Sequence, residues 1–387
     1  MSAMKRARPI LVVLAAALAG CIRHDLARTN WVTTEPRAHE EPARWKTWFK
    51  NTYLYPVGRW FMRPAGEAAN LDEHGDVPTG SFYVKRDISK LTPEEIQRGP
   101  CVSLEVPAPM SIKSVKEHPV KPGFFGKDAQ GTRYLFKFDP PGYPELCTGA
   151  EAVATRLLWA LGYRVPANRI CTIEGTGDAR FDGKRALASE FISGKILGPW
   201  KFRDAYRRRE MRALKVVSAW INHTDACDHN TLVAWRDGTA YYCLLDFDNS
   251  LGAHTLGPKE PWHGWRHKWD AEEQLRTIGT LGLYLVFRKV PYDPAAPVVS
   301  QAVGRFDTRV DPRRFKNCFP NYAFREMTES DAVWMARKLA QFTPAQIRAA
   351  VRAGRYSNKR DEDYLVKTLR QRRDAICRIY GVEVPTR

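Results

Sequence analysis

Between Thr132 and Phe138 the residue type changes at every position, Tyr134, Phe136 and Phe138 alternating with Arg133, Leu135 and Lys137. Successive side chains of an extended chain point to opposite faces, so the spacing predicts a strand with an aromatic face in a core and Lys137 on the other side. Gly123-Phe124-Phe125-Gly126 leads into it through the turn Asp128-Ala129-Gln130-Gly131. Beyond it, Pro140, Pro141, Gly142 and Pro144 bend the chain, and Val153, Leu157, Leu158 and Leu161 mark a helix from about Thr148 to Leu161 that Gly162 stops. Strand-like stretches follow at 169–173 and 185–192, the second running into a Ser193-Gly194 hinge. Thr92-Pro93-Glu94-Glu95 has the cap, first-turn proline and capping glutamate of a short helix. Met211, Leu214, Val217 and Ile221 place an amphipathic helix over 210–223. After Gly252 the chain is expected to be helical and increasingly basic, with helices starting at 327–331 and Thr343-Pro344 and a last one over Asp361 to Tyr380.

The 387 residues allow two or three lobes and a large core. At 44% hydrophobic and 27% charged, the composition excludes wholesale disorder and a polytopic membrane protein. Lys5, Arg6 and Arg8 precede the apolar run Ile10 to Leu18, the order of an export signal, and the run is too short to span a bilayer as a helix. It ends in Leu18-Ala19-Gly20-Cys21, which resembles the bacterial lipobox. The expectation is a signal peptide over 1–20, lipidation of Cys21, and anchoring of the mature chain to the cell envelope. Ile22 after the cysteine, in resemblance to Gram-negative lipoproteins, implies the outer membrane. Residues 21–80 are read as a tether of about twenty residues and an aromatic-rich extension whose rings, including Trp31, Trp45, Phe49, Trp60 and Phe61, are expected to be buried.

The formal net charge of +18 falls to +15 when 1–20 and their three positive charges are removed. A basic surface suits an anionic envelope component, and no nucleic-acid-binding signature accompanies it, so no nucleic acid is expected. With Cys21 lipidated, seven widely spaced cysteines remain, and at most one or two disulfides are expected.

The chemistry concentrates in His223-Thr224-Asp225-Ala226-Cys227-Asp228-His229-Asn230, an apolar hairpin, and Leu244-Leu245-Asp246-Phe247-Asp248. An aspartate, an asparagine five residues on, and an aspartate closing an apolar strand are the parts phosphoryl transfer uses: one carboxylate to orient the acceptor hydroxyl, and hard oxygens to hold Mg2+ on nucleotide phosphates.

With these residues the chain resembles the protein-kinase-like superfamily, above all its atypical members such as HipA-type, CotH-type and phosphatidylinositol kinases, over roughly residues 120 to 380. The resemblance implies an α+β, two-lobed kinase-like fold, with a sheet-rich lobe over 81–192 and a helical lobe over 193–387, using ATP and Mg2+. It implies Asp225 and His223 as the catalytic-loop pair, Asn230, Asp246 and Asp248 as metal ligands, and Lys137 as the phosphate-binding lysine with Glu151 as its ion-pair partner. Glu190, Phe191 and Ile192 would meet the adenine through backbone groups, and the segment Gly123 to Gly131 would turn over the phosphates. Thr224 stands where the family has arginine, and the metal motif is Asp-Phe-Asp.

Two functions follow: an ATP- and Mg2+-dependent phosphotransferase acting on an envelope or extracellular acceptor, or a kinase-like fold kept for binding alone, since export leaves the cellular ATP pool behind. Related folds also transfer nucleotidyl groups. A separate reading makes His223, Cys227 and His229 zinc ligands, with Asp225 or Asp228 as the fourth.

Overall fold

The computed structural model describes residues 26–40, 43–54, 66–116, 123–287 and 289–385; the expected export signal, Cys21, Trp60 and Phe61 lie outside this set. The chain is already against the body at Leu26, whose carbonyl, with that of Thr29, accepts from Arg208 Nη1 at 2.7 and 2.9 Å. It continues along the body, with Ala240 N donating to Val32 O at 2.9 Å and His39 N to Leu197 O at 2.7 Å. The stretch read as a free tether is therefore packed from Leu26 onward. Helix α1 (Arg44–Phe49) follows, continued by a wider turn over Lys50–Leu54. Here the expected burial fails: Trp31, Trp45 and Phe49 are 43%, 64% and 43% exposed. Helix α2 (Pro93–Arg98) has the expected capping box, Thr92 accepting from Glu95 N while Glu95 accepts from Thr92 N.

The sheet lobe contains β1 (Ser111–Lys116), β2 (Gly123–Lys127), β3 (Arg133–Lys137), β4 (Asn168–Thr172) and β5 (Arg185–Glu190), antiparallel in the order β1-β2-β3-β5-β4. The alternation works as expected. Tyr134, Phe136 and Phe138 are buried on one face with Phe124 and Phe181, the Phe124 and Phe136 rings stacking at 4.6 Å. Gly123, opposite Lys137, lies so close to the neighbouring strand that a Cβ would meet Phe136 O at 2.6 Å, so only glycine fits. Helix α3 (Leu146–Ala160) covers the second face, packing Ala152 against Ile170 and Leu187.

Strands β6 (Lys195–Gly198), β7 (Thr231–Arg236) and β8 (Thr239–Leu244) form a second antiparallel sheet. Asp237 and Gly238, both at positive φ (51° and 69°), close the β7/β8 hairpin in a two-residue turn that suits the strand twist. Helix α4 (Arg209–Trp220) is buried on nearly every side, its polar residues included: Arg209 and Arg212 pair with buried Asp331 at 3.2 and 3.4 Å. It ends three residues earlier than the periodicity suggested.

Helicity does not resume directly after Gly252. Residues 253–321 contain β9 (Ala253–His254), β10 (Gly257–Pro258), α5 (Ala271–Gly279), α6 (Leu283–Phe287) and loops. Only from α7 (Tyr322–Arg325) does the chain run as helices: α8 (Glu329–Ala340), α9 (Pro344–Arg352) and α10 (Lys359–Ile379). Threonines 328 and 343 cap α8 and α9 in reciprocal boxes with Asp331 and Gln346.

The main core also holds Phe82, Ile88 and Ile96, and Gln346 Nε2 donates to Ile88 O and Leu91 O at 2.8 and 2.7 Å. The segment from 81 to about 100, assigned from sequence to the sheet lobe, thus packs with the helical lobe, because its apolar residues complete the bundle. No described helix is long and apolar enough to cross a membrane.

Candidate functional site

Strand β3 ends at the junction of the lobes and aims Lys137 at two carboxylates. Its Nζ donates to Glu151 Oε1 and Oε2 at 2.8 and 2.9 Å and to Asp246 Oδ1 at 3.0 Å. Glu151 is supplied by α3, whose first turn is held by Asp139: its oxygens accept from the Glu145, Cys147 and Thr148 amides and from Thr148 Oγ1 at 2.7–2.9 Å. Asn168 Nδ2 donates to Glu151 Oε1 at 3.2 Å. Asp246 leaves β8 through Leu245 in a left-handed conformation, φ 57°, which Asp tolerates better than most residues.

Burial opposes the Lys137 charge, but Asp246, Glu151 and Asp248 together hold its pKa above the ordinary lysine value. Burial raises the Glu151 carboxyl, as do Asp246 and Asp248, with Lys137 opposing. Oxygens of Glu151, Asp246 and Asp248 lie within 4.8 Å of one another. Three carboxylates around one ammonium leave an excess of negative charge in a cleft also lined by Gly123, Leu135 and Thr148. Hard oxygens with surplus charge suit Mg2+, so the residues present fit that ion.

The loop after α4 is held from several sides. Asn230 Nδ2 donates to Asp225 O and Oδ2 at 2.9 and 3.0 Å, so the structure brings these two expected residues together, and Leu245 N donates to Asn230 O at 2.9 Å. Asn317 and Asn321 each donate Nδ2 to Ala226 O at 2.8 Å. Beneath the loop, Lys259 donates to Asn222 O, to Thr224 Oγ1 at 2.9 Å and to Asn249 O at 3.0 Å, tying the Asp225 loop to the segment after Asp248. Lys259 is 1% exposed, and burial pulls its pKa down to about 7. Sequence reasoning missed Lys259, Asn317 and Asn321; they lie more than thirty residues from the loop they serve, and no local motif marks them.

Four expectations are corrected. His223 is 3% exposed, with Ser250 Oγ 3.2 Å from Nδ1 and Phe247 against its ring. Burial, then Lys259, pushes its pKa down to about 3, which keeps the enclosed imidazole neutral near pH 7. At the hinge, the Glu190 amide donates to Ala167 O (3.0 Å) and the Phe191 amide to Arg133 O (2.9 Å), while the Glu190 carboxylate pairs with Arg169 at 2.7 Å on the face away from Lys137. Sheet pairing has taken both amides, so neither N–H is open to a base.

The segment 123–131 is not one turn over the phosphates. Gly123 pairs with Lys137, but the Asp128–Gly131 turn joins β2 to β3 at the opposite end, where Lys127 pairs with Arg133. Finally, among the described residues the one convergent group of three or more His, Cys, Asp or Glu donors is Glu151, Asp246 and Asp248; His223, Cys227 and His229 do not converge, which removes the zinc reading. The seven described cysteines are all unbridged.

A five-stranded antiparallel sheet presents a lysine to a glutamate on the helix between β3 and β4, and to an aspartate that follows a hairpin of the helical lobe. This is the α+β arrangement expected from the sequence. Among solved structures, the chain is similar to the proinflammatory kinase CtkA of Helicobacter pylori, with 12% identity over 70% of this chain and 94% of that one and a TM-score of 0.41. It is also similar to the Rio2 kinase of Chaetomium thermophilum, solved as an ADP/Mg2+-phosphoaspartate complex, with 13% identity over 68% of this chain and 72% of that one and a TM-score of 0.29. No family model matches the chain, and no curated protein matches it in sequence.

Proposed function

We propose that this chain is an envelope-anchored phosphotransferase that moves a phosphoryl group from a nucleoside triphosphate to a hydroxyl acceptor. The observation that carries the proposal is the Lys137 ammonium shared between Glu151 and Asp246 at the lobe junction, beside a loop in which Asn230 fixes Asp225. Lys137, oriented by Glu151, binds phosphate oxygens. Asp225 orients the acceptor hydroxyl and receives its proton. Asp246, Asp248 and the amide oxygen of Asn230 would hold Mg2+, which when bound neutralises the phosphates. His223 and Lys259 hold the loop in place. The basic n-region, short apolar run and Cys21 support export and lipid anchoring.

The test is isothermal titration of the mature chain with Mg2+ and ATP, beside Lys137→Ala and Asp246→Asn. Binding that both substitutions abolish supports the nucleotide site; a folded parent that binds nothing at millimolar nucleotide refutes it. The engaged Glu190 and Phe191 amides favour one alternative, a kinase-like fold that binds an envelope ligand without transfer, and that second result would select it.

A further inference from the structure

The region where α1 meets α5 turns its large apolar side chains outward. Leu275, Ile278 and Leu281 are 70%, 71% and 94% exposed, Trp269 50% and Trp45 64%. The two segments form one surface: the Trp48 and Trp269 rings lie 6.3 Å apart, and Tyr53 Oη donates to Gln274 Oε1 at 3.2 Å. Contiguous exposed apolar groups of this size are uncommon on a soluble surface and mark a place where something else covers them.

Charge and chain length say what. The acidic residues of α5 are neutralised locally, Glu272 by Arg276 at 2.6 Å and Glu273 by Arg266 at 3.3 Å, while Lys46, Lys50, Lys268 and Lys289 are exposed around the apolar groups. An apolar face with a basic rim is the pattern of a surface that lies in the headgroup region of an anionic bilayer. Cys21 is five residues before Leu26, at most about 18 Å of extended chain, so a lipid on Cys21 holds the body against the membrane. The anchored end and the apolar face are linked through few contacts. Arg208 holds Leu26, Tyr206 packs on Tyr322 at 5.2 Å, and nearby Cys318 O accepts from Lys268 N at 2.7 Å, next to Trp269.

We propose that the α1/α5 face is a peripheral membrane-docking surface that inserts its apolar side chains into an anionic lipid bilayer and fixes how the kinase-like body sits on it. The proposal builds on the envelope-anchoring reading, and its test separates the two. The mature chain from position 21, carrying Cys21→Ser so that no lipid is present, is mixed with phosphatidylethanolamine/phosphatidylglycerol vesicles and with neutral phosphatidylcholine vesicles.

The expected result is co-sedimentation that favours the anionic vesicles and falls about tenfold or more in Ile278→Asp/Leu281→Asn, at an unchanged melting temperature. Equal vesicle binding by parent and variant overturns the proposal. So does a parent that ignores vesicles and dimerises in light scattering through contacts the variant breaks, which would make a second copy the occupant. Palmitate labelling of the wild-type chain in cells reports on Cys21 alone: absent label with vesicle binding intact refutes the anchor and leaves the docking face supported.

Discussion

Replacing Lys137 by Met strands Glu151. That carboxylate is 1% exposed and its partner 23%, so the pair is buried enough that removing one member leaves an uncompensated charge, a loss of about 3–5 kcal/mol. Asp246 is 37% exposed, so its share is screened and the lower end, about 3 kcal/mol, is expected. At about 2.1 cal/mol/K per residue over the roughly 360 residues from Leu26 on, the unfolding entropy turns this into a melting-point drop of about 4 °C.

The loss depends on pH with a definite sign. Burial already raises the Glu151 carboxyl above its unfolded value, and without Lys137 that rise grows, with the Asn168 hydrogen bond left to oppose it. A carboxyl whose folded pKa is raised binds its proton first in the folded state, so lowering the pH towards its unfolded value stabilises the variant relative to the parent. The deficit should therefore be full near pH 8 and smaller near pH 5, measured by urea denaturation of both proteins. Glu151→Gln in the Lys137→Met background should restore most of the loss, giving strong non-additivity. Equal deficits at the two pH values, or losses that add within about 0.5 kcal/mol, would refute the description of the pair.

Asp139→Ala removes the acceptor of two α3 amides, the Glu145 amide before them and one hydroxyl, and should cost about 2 kcal/mol in urea while weakening Mg2+-ATP binding through a displaced Glu151. Lys259→Met removes the ammonium donor from Asn222 O, Thr224 Oγ1 and Asn249 O, the last of which keeps the Thr224 amide, a loss of about 2 kcal/mol. Because the folded pKa of Lys259, about 7, lies below its unfolded value, the parent gains stability between about pH 7 and 10.5, and the variant should lack that gain in a pH series of denaturation midpoints. His223, held neutral with a pKa near 3, charges more readily when unfolded, so stability falls as the pH drops from about 6.5 towards 3; His223→Gln should flatten that part of the acid-unfolding profile.

What could be read from the chain beforehand was what a few consecutive residues encode. The alternation at 133–138 placed Lys137 on the face away from the aromatic core, and the Thr92, Thr328 and Thr343 caps identified three helix starts, because both signals are complete within a handful of positions. Asp225 with Asn230 and Asp246 with Asp248 were legible for the same reason. The burial of His223 and the engagement of the Glu190 amide could not be read beforehand because they depend on partners brought in by the fold: Phe247 and Ser250 enclose the imidazole, and Ala167 O takes the Glu190 amide. The stretch 253–321 resisted reading because its short elements are set by contacts such as Lys316 with Asp270 and not by a local period.

Helix α3 packs on the sheet through Ala152 and into the main core through Leu157 and Leu158, so it is a wall shared by both lobes. Lys137 stands on the sheet, Glu151 on the shared wall and Asp246 on the segment after β8. The two ion pairs of one ammonium therefore span different joints: a spectroscopic probe across Lys137 and Asp246 would read the separation of the lobes, with the 2.8 Å pair to Glu151 as its internal reference.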